Sequence, residues 1–409
     1  MRSFQPGSKI ILDPVGQYYA SIIEPRFPGS YTVAAYLKQP IDPHVLQQAV
    51  DDLFRRLPFL NGRLRKGFFW YWHEILKNPP KIVPDIQGAP FTDYYNRSRG
   101  EGHVVRVLYG EKHLKIEAIH SIIDGRSVTA IIRGLVVRYF ERLGIPVSKS
   151  DILDCSEPLQ PEEGENAFAR YGNPAGYKPA KESKTVEAYQ HKGSTPCPTY
   201  VTRLHFDLSK IKAAAKQYET TVNGYVLAHL LEAIAEERDG RGAKEPIIVM
   251  MPIDCRGFIP TKTYRNFVMA ADITMPEAMG FAGKIACLGE QFQAVNQEFV
   301  QNEVDMAQSW YYKSRFLPRL LKKALLRILE SMESKSMTTT FSNIGLVRFP
   351  KEIEAFVDFM EFVISQDGWP YSFGCISHGN VLTITITASV TGDGIAESLT
   401  KRLGASAMR

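Results

Sequence analysis

Six residues, His120-Ser121-Ile122-Ile123-Asp124-Gly125, join a segment of strand character to one of helix character, and no other stretch of the 409-residue chain constrains its fold as tightly. Before this hinge, Lys112 to Ile119 (KHLKIEAI) alternates and then runs apolar, as a strand entering a core does. After it, Val128 to Leu143 (VTAIIRGLVVRYFERL) carries apolar residues at helical spacing. Ser127 is the expected N-cap of that helix, and Gly125 the residue that lets the backbone turn. The pattern predicts a histidine on a short connection at the mouth of a sheet, where a ring nitrogen can reach a ligand. A neutral imidazole titrates near working pH and can take a proton from an alcohol, amine or thiol. The plain alternative is a histidine satisfied by backbone at a strand end.

The rest of the chain alternates strands and helices around this hinge. Tyr31 to Leu37 reads as a strand, and a helix follows with Asp42 as N-cap, Pro43 at its first position, and an end before Pro58. Phe68 to Ile75 (FFWYWHEI) reads as an aromatic strand. Val104 to Tyr109 is expected to hairpin through Gly110-Glu111 into the strand that delivers His120. From Pro146 to Pro198, prolines, glycines and acids predict a long, loosely structured crossover. Beyond it come a strand at Tyr200 to Phe206, a helix from Leu208, and a helix from Val222 to Glu237 capped by Thr220 or Thr221. Ile247 to Ile253 reads as a buried strand, and a hairpin is expected around His378-Gly379-Asn380. A last helix is expected from Ile395 to Leu403. The class is α/β or α+β with mixed sheets, divided as 1–150, a crossover 151–198, and 199–409.

Composition narrows the function classes. Hydrophobic residues at 44% and charged residues at 23% describe an ordinary globular chain, and no apolar run approaches the ~18 residues of a membrane helix. The N-terminus lacks the apolar core of a secretory signal. Five scattered cysteines without a Cys-x-x-Cys pair argue against a disulfide framework or a zinc site, and fit a reducing cytoplasm. The net charge of +5 suits a polyanionic partner such as coenzyme A phosphates or an acidic carrier protein, and is too weak to argue for nucleic acid. Arg315 to Leu329 holds five basic residues and no acids, with leucines on one face. The expected arrangement is a surface helix docked on the core with a basic outer face. Contact with anionic membrane lipid, cover for a greasy channel and attraction of a phosphate-bearing partner are the functional alternatives.

In order and spacing the chain resembles the His-x-x-x-Asp-Gly acyltransferase superfamily. That group includes chloramphenicol acetyltransferase, condensation domains, polyketide-associated acyltransferases and alcohol acetyltransferases. The resemblance rests on Ile41-Asp42-Pro43, Arg56-Leu-Pro-Phe-Leu60, the hinge motif, Thr221-Val-Asn223, Met251-Pro-Ile-Asp-Cys-Arg256, Ser342-Asn-Ile-Gly345 and Tyr371-Ser-Phe-Gly374. It departs from condensation domains and wax ester synthases at Ile119, where those carry a second histidine. The Asp-Phe-Gly-Trp-Gly signature of plant-type members is absent, and Asp367-Gly-Trp369 is expected to be a turn before a packed tryptophan.

The resemblance implies an α/β fold of two chloramphenicol acetyltransferase-like subdomains, each a mixed sheet backed by helices, with an active-site tunnel between them. It implies acyl transfer from an acyl-coenzyme A co-substrate to a small alcohol acceptor, with His120 as general base and no bound cofactor or metal. Asp124 would shape the loop by pairing with Arg256, for which a bidentate geometry is expected. Gly125 would keep the tunnel open, and Ser342 and Asn343 would hydrogen-bond the oxyanion or the acceptor, unless they simply form a turn. An amine acceptor, a carrier-protein donor, and a silent acyl-binding relative are the alternatives.

Overall fold

The computed structural model describes residues 4–23, 29–85, 102–179, 186–191, 196–277, 279–365, 369–391 and 394–404. The chain begins with β1 (Lys9–Ile11), α1 (Pro14–Ile22), β2 (Ser30–Leu37) and α2 (Pro43–Arg56). Strands β3 (Gly62–Lys66), β4 (Tyr71–Ile75), β5 (Val83–Pro84), β6 (Val105–Tyr109) and β7 (His113–Ile119) lead to α3 (Gly125–Arg142). After the short helix α4 (Ala167–Tyr171) come β8 (Pro196–Asp207), α5 (Leu208–Gln217), α6 (Val222–Gly240), β9 (Ile248–Asp254) and β10 (Val268–Thr274). Helices α7 (Phe281–Ala294), α8 (Gln297–Lys313) and α9 (Arg319–Ser336) precede β11 (Thr339–Val347), α10 (Lys351–Glu354) and β12 (Val357–Ile364). The hairpin β13 (Tyr371–His378) and β14 (Val381–Val390) and helix α11 (Ile395–Leu403) close the described chain.

Local chemistry sets several of these boundaries as predicted. Asp42 accepts hydrogen bonds from the backbone N–H groups of His44 and Val45, with Pro43 at the first position of α2. Thr221 caps α6 by accepting from the Gly224 N–H. Other expectations fail for visible reasons. The aromatic strand is shorter than expected: β4 begins at Tyr71, and Phe68 and Phe69 lie in the exposed β3–β4 loop. Part of the crossover is anchored rather than loose. Buried Arg56 donates to the Glu163 carboxylate at 2.7 Å, and Phe168 of α4 is fully buried.

The described strands form three sheets. Five strands run in the order β12-β2-β7-β6-β5, six in the order β10-β9-β11-β13-β14-β8, and three in the order β1-β4-β3. Both larger sheets are mixed: β5 and β6 are parallel in the first, and β11 lies parallel to both β9 and β13 in the second. Strand β12 comes from the second half of the sequence yet pairs with β2 along Leu37 to Tyr31, so the halves of the chain and the sheets do not coincide. Helices α2 and α3 cover the first sheet over a core that includes Val33, Leu46, Leu53, Ile116, Ile131 and Leu135. A second core gathers α6 and α11 against β13 and β14. A smaller cluster of Phe168, Cys255, Phe267, Val300 and Val304 sits where α4, α8 and the segment after β9 meet.

Candidate active site

His120 leaves the end of β7, the second antiparallel partner of β2, so a central strand delivers it to the edge of the first sheet. Its backbone N–H donates to Gly29 O at 2.8 Å, and its carbonyl accepts from Asn266 Nδ2 at 3.2 Å. The ring is half-buried and stacked on Tyr19 of α1, with centroids 4.3 Å apart and planes 3° from parallel. Tyr31 of β2 meets the ring edge-on at 5.2 Å and donates its hydroxyl to Ile123 O, which ties the strand to the hinge. Burial pushes the imidazole pKa below the ordinary histidine range, an effect that the Asp124 carboxylate, the residue's own backbone and Asn266 only partly offset. At neutral pH the ring is therefore neutral and able to accept a proton.

Asp124 sits at the N-terminus of α3, and its carboxylate is fully engaged. Oδ1 accepts from the Ser127 N–H at 2.9 Å, and Oδ2 accepts from Arg256 Nη2 at 2.9 Å and from the Phe267 N–H at 2.8 Å. Asp124, and not Ser127, is thus the N-cap, and the helix starts three residues earlier than its apolar spacing suggests. The Arg256 pairing is also not bidentate. Nη2 serves Asp124, the Ser127 hydroxyl and Arg265 O, while Nη1 goes to Asp254 at 2.8 Å and Nε to Thr263 O at 2.9 Å. One guanidinium so ties the hinge loop to Asp254, Thr263 and Arg265 in the second half of the sequence. Although burial acts to raise it, the Asp124 pKa is held below the usual carboxylate range by Arg256 and by the two backbone N–H donors.

Gly125 is the first residue of α3, and its backbone is outside the left-handed region, so turning does not explain the glycine. Close approach does: a Cβ there would lie 3.1 Å from Ile344 Cδ1 of β11 and 3.5 Å from Phe362 Cζ of β12. Ser342 and Asn343 lie within β11 and not in a turn. Asn343 Nδ2 donates to Asn223 Oδ1 of α6 at 3.0 Å, and its Oδ1 accepts from the Gly345 N–H at 2.8 Å. The bulge between Asn343 and Leu346 accommodates Gly345 at φ +85°. Ser342 pairs in register with Gly374 of β13 just before the bulge.

A second tier under the hinge had no signal in the sequence. Asn266 Nδ2 also reaches Asp13 Oδ1 at 3.3 Å, and Asp13 faces Arg265 Nη2 at 3.5 Å in a buried pair. His73 Nε2 lies 3.0 Å from the Ser121 hydroxyl, and neither residue is exposed. The Asp13 carboxyl is pushed up by burial, and the Arg265 charge only partly counters this. Among the described residues, no group of three or more His, Cys, Asp or Glu side chains is placed to hold a metal ion. Trp369 is packed, its indole N–H donating to Met337 O at 3.1 Å, while Asp367 and Gly368 lie outside the described residues.

No family model and no curated protein matches the chain. Solved structures do, along nearly its whole length. Polyketide synthase associated protein 5 from Mycobacterium tuberculosis aligns with a TM-score of 0.66 at 16% identity, covering 98% of both chains. The first condensation domain of the CDA synthetase aligns with a TM-score of 0.57 at 15% identity, over 98% of this chain and 95% of that one. The chain has the condensation-domain fold. A wax ester synthase/diacylglycerol acyltransferase from Marinobacter aquaeolei VT8 shares it, with a TM-score of 0.54 at 14% identity over 96% and 98% of the two chains. In this condensation-domain fold the first-sheet hinge carrying His120 faces β11 and β12, elements drawn from the second half of the sequence. Asn266 and Tyr19 escaped the sequence reading because neither lies in the hinge or in any other motif segment.

Proposed function

We propose that the protein is an acyltransferase that moves an acyl group from coenzyme A to an alcohol, forming an ester. One observation carries the choice of donor. An open crevice of about 710 Å³ runs beside the hinge, lined by the cations Arg126, Arg133, Arg348 and Lys351 together with Asp151 and Glu352. Its wall includes Ile344, the side chain that meets Gly125, so the crevice adjoins the loop that holds His120. Arg133 is held below its ordinary pKa by burial and then by the Arg126 charge, which is the electrostatic setting a bound phosphate relieves. The structural likeness to a condensation domain and a wax ester synthase/diacylglycerol acyltransferase supports acyl transfer as the reaction class.

The chemistry follows from the ring. The acceptor O–H passes its proton to the neutral imidazole as the oxygen attacks the thioester carbonyl, and a C–O bond forms. Charge gathers on the carbonyl oxygen, where the Ser342 hydroxyl and the free N–H of the Asn343 amide are the donors we assign. The tetrahedral intermediate then collapses, the C–S bond breaks, and the imidazolium returns the proton to the departing thiolate. A base so placed contributes about 10²–10⁴-fold in rate. Tyr19, Asp124 and Arg256 act as positioning residues. Cys155, Cys255, Cys287 and Cys375, each a free thiol, fit the cytoplasm this reading assumes.

The test uses two donors with the same acyl group, acyl-coenzyme A and the truncated acyl-N-acetylcysteamine, each with a panel of alcohols and amines. Charge reversal at Arg348 and Lys351 is expected to raise KM for the coenzyme A donor by about tenfold or more and to leave the truncated donor unaffected. Equal effects on both donors would remove the crevice from the account. Turnover of an acylated carrier protein but not of acyl-coenzyme A would favour the carrier-dependent alternative, and a preference for amines would favour amide formation.

A further inference from the structure

Helix α9 is mounted with its polarity reversed. The stripe that faces the protein runs through Arg319, Lys322, Lys323, Leu326 and Glu330, at spacings of three and four residues. The opposite half of the helix carries Leu320, Leu321, Leu325, Ile328, Leu329 and Met332, each between 43% and 68% exposed. A surface helix normally turns its apolar stripe inward. Here polar contacts do the docking. The Arg319 backbone N–H donates to Phe68 O at 2.9 Å, its Nε to Gly67 O at 3.0 Å, and Lys322 Nζ to Phe69 O at 2.8 Å while lying over the Trp70 ring. This overturns the expectation of a basic outer face. Exposed rings extend the apolar ridge at its N-terminal end: Phe68 at 73%, Phe316 at 71% and Tyr312 at 53%.

We propose that this ridge seats on the surface of an anionic lipid bilayer. Charge complementarity selects that occupant. Between Asp305 and Glu330 the sequence has no acid, and of its six basic residues Lys313 and Arg327 are exposed and Arg315 partly so, while Arg319, Lys322 and Lys323 lie on the docked stripe. At roughly 100° per residue, exposed Arg327 falls on the border of the apolar half, at the level where lipid headgroups lie when the leucines enter the acyl boundary. The ridge runs along a helix of 18 residues. No described helix is long and apolar enough to cross a membrane, so the contact is peripheral. Helix α9 packs on α1, the helix whose Tyr19 stacks on His120, which sets the lipid-facing ridge one helix away from the candidate base.

The experiment is flotation of the full chain with vesicles of phosphatidylcholine alone and of equal parts phosphatidylcholine and phosphatidylglycerol. The protein is expected to float with the mixed vesicles, less with the neutral ones, and less again as salt is raised. The combined variant Leu320→Ser, Leu321→Ser, Ile328→Ser is expected to lower partitioning by about tenfold or more with an unchanged melting temperature, because these side chains are exposed. The pair Lys313→Glu and Arg327→Glu is expected to abolish the preference for the anionic vesicles. A chain that stays in the aqueous fraction with both vesicles overturns the proposal. So does a concentration-dependent dimer, or a complex with an acidic carrier protein, that is broken by the leucine substitutions in a chain that ignores vesicles.

Discussion

Arg256 Nη2 donates to Asp124 Oδ2 at 2.9 Å, and this contact, with those to Ser127 and from the Phe267 N–H, lets the segment after β9 hold the N-terminus of the helix that follows His120. Asp124 is buried and Arg256 partly so, so removing either leaves the other charge less well compensated in a desolvated setting. Asp124→Ala is expected to cost about 3–5 kcal/mol in denaturant unfolding, and Arg256→Lys a smaller but clear loss, because lysine cannot serve Asp124, Asp254 and Thr263 together. Asp124→Asn is expected to lower stability or loop order more than turnover per folded molecule. A fully stable Asp124→Asn protein whose acceptor deprotonation alone fails would contradict the positioning role.

Two glycines near the hinge should respond differently to the same change. In Gly125→Ala the added Cβ meets the flexible end of Ile344 at 3.1 Å, and alanine favours the helix by about 0.5–1 kcal/mol. Stability should stay within about 1 kcal/mol while activity with bulky donors falls. In Gly16→Ala the Cβ collides with the backbone carbonyl of Ser121, which cannot rotate away. That variant should lose several-fold more stability, as measured by thermal unfolding of the two proteins side by side.

The histidines set the acid limit of both function and stability. The His120 pKa is depressed, so the acid limb of kcat/KM should fall below the ordinary value of about 6.5. Burial and then the Arg265 charge push His73 down to about 3, and burial and then the Arg402 charge push His229 to about 4. These groups are neutral when folded and protonate on unfolding, so the unfolded state binds more protons between about 3 and 6.5 and stability falls as pH drops through that window. Replacing His73 with Gln should flatten the pH dependence of stability there by up to about 3–5 kcal/mol. An unchanged slope would mean that His73 is already protonated when folded.

Much of the architecture was legible because local chemistry wrote it. Asp42 and Pro43 fixed the start of α2, the Thr220-Thr221 pair placed the start of α6 to within a residue, and the alternation of Thr and Ile marked the return strand of the last hairpin. The place of β12 in the first sheet was not legible, since pairing between Ala35 and Met360 leaves no trace in either segment alone. The start of α3 was misplaced because Ser127 and Asp124 are both good caps, and only the tertiary pull of Arg256 and Phe267 on Asp124 distinguishes them. The hinge, Arg256 and the Ser342 segment could be picked out as single features. Their assembly with Tyr19 and Asn266 depends on contacts between residues more than a hundred positions apart. The outward leucines of α9 reversed the usual inference from periodicity, which gives the apolar face but not the direction in which it points.

The most direct test of the account is acceptor-dependent release of free thiol from acyl-coenzyme A by the wild-type chain and by His120→Ala, with the ester product identified by mass spectrometry. Removing the base should cut acceptor-dependent release by about 10²-fold or more while the variant melts at the wild-type temperature and still binds the donor. Release that proceeds unchanged in His120→Ala would contradict the assignment of this histidine as the general base.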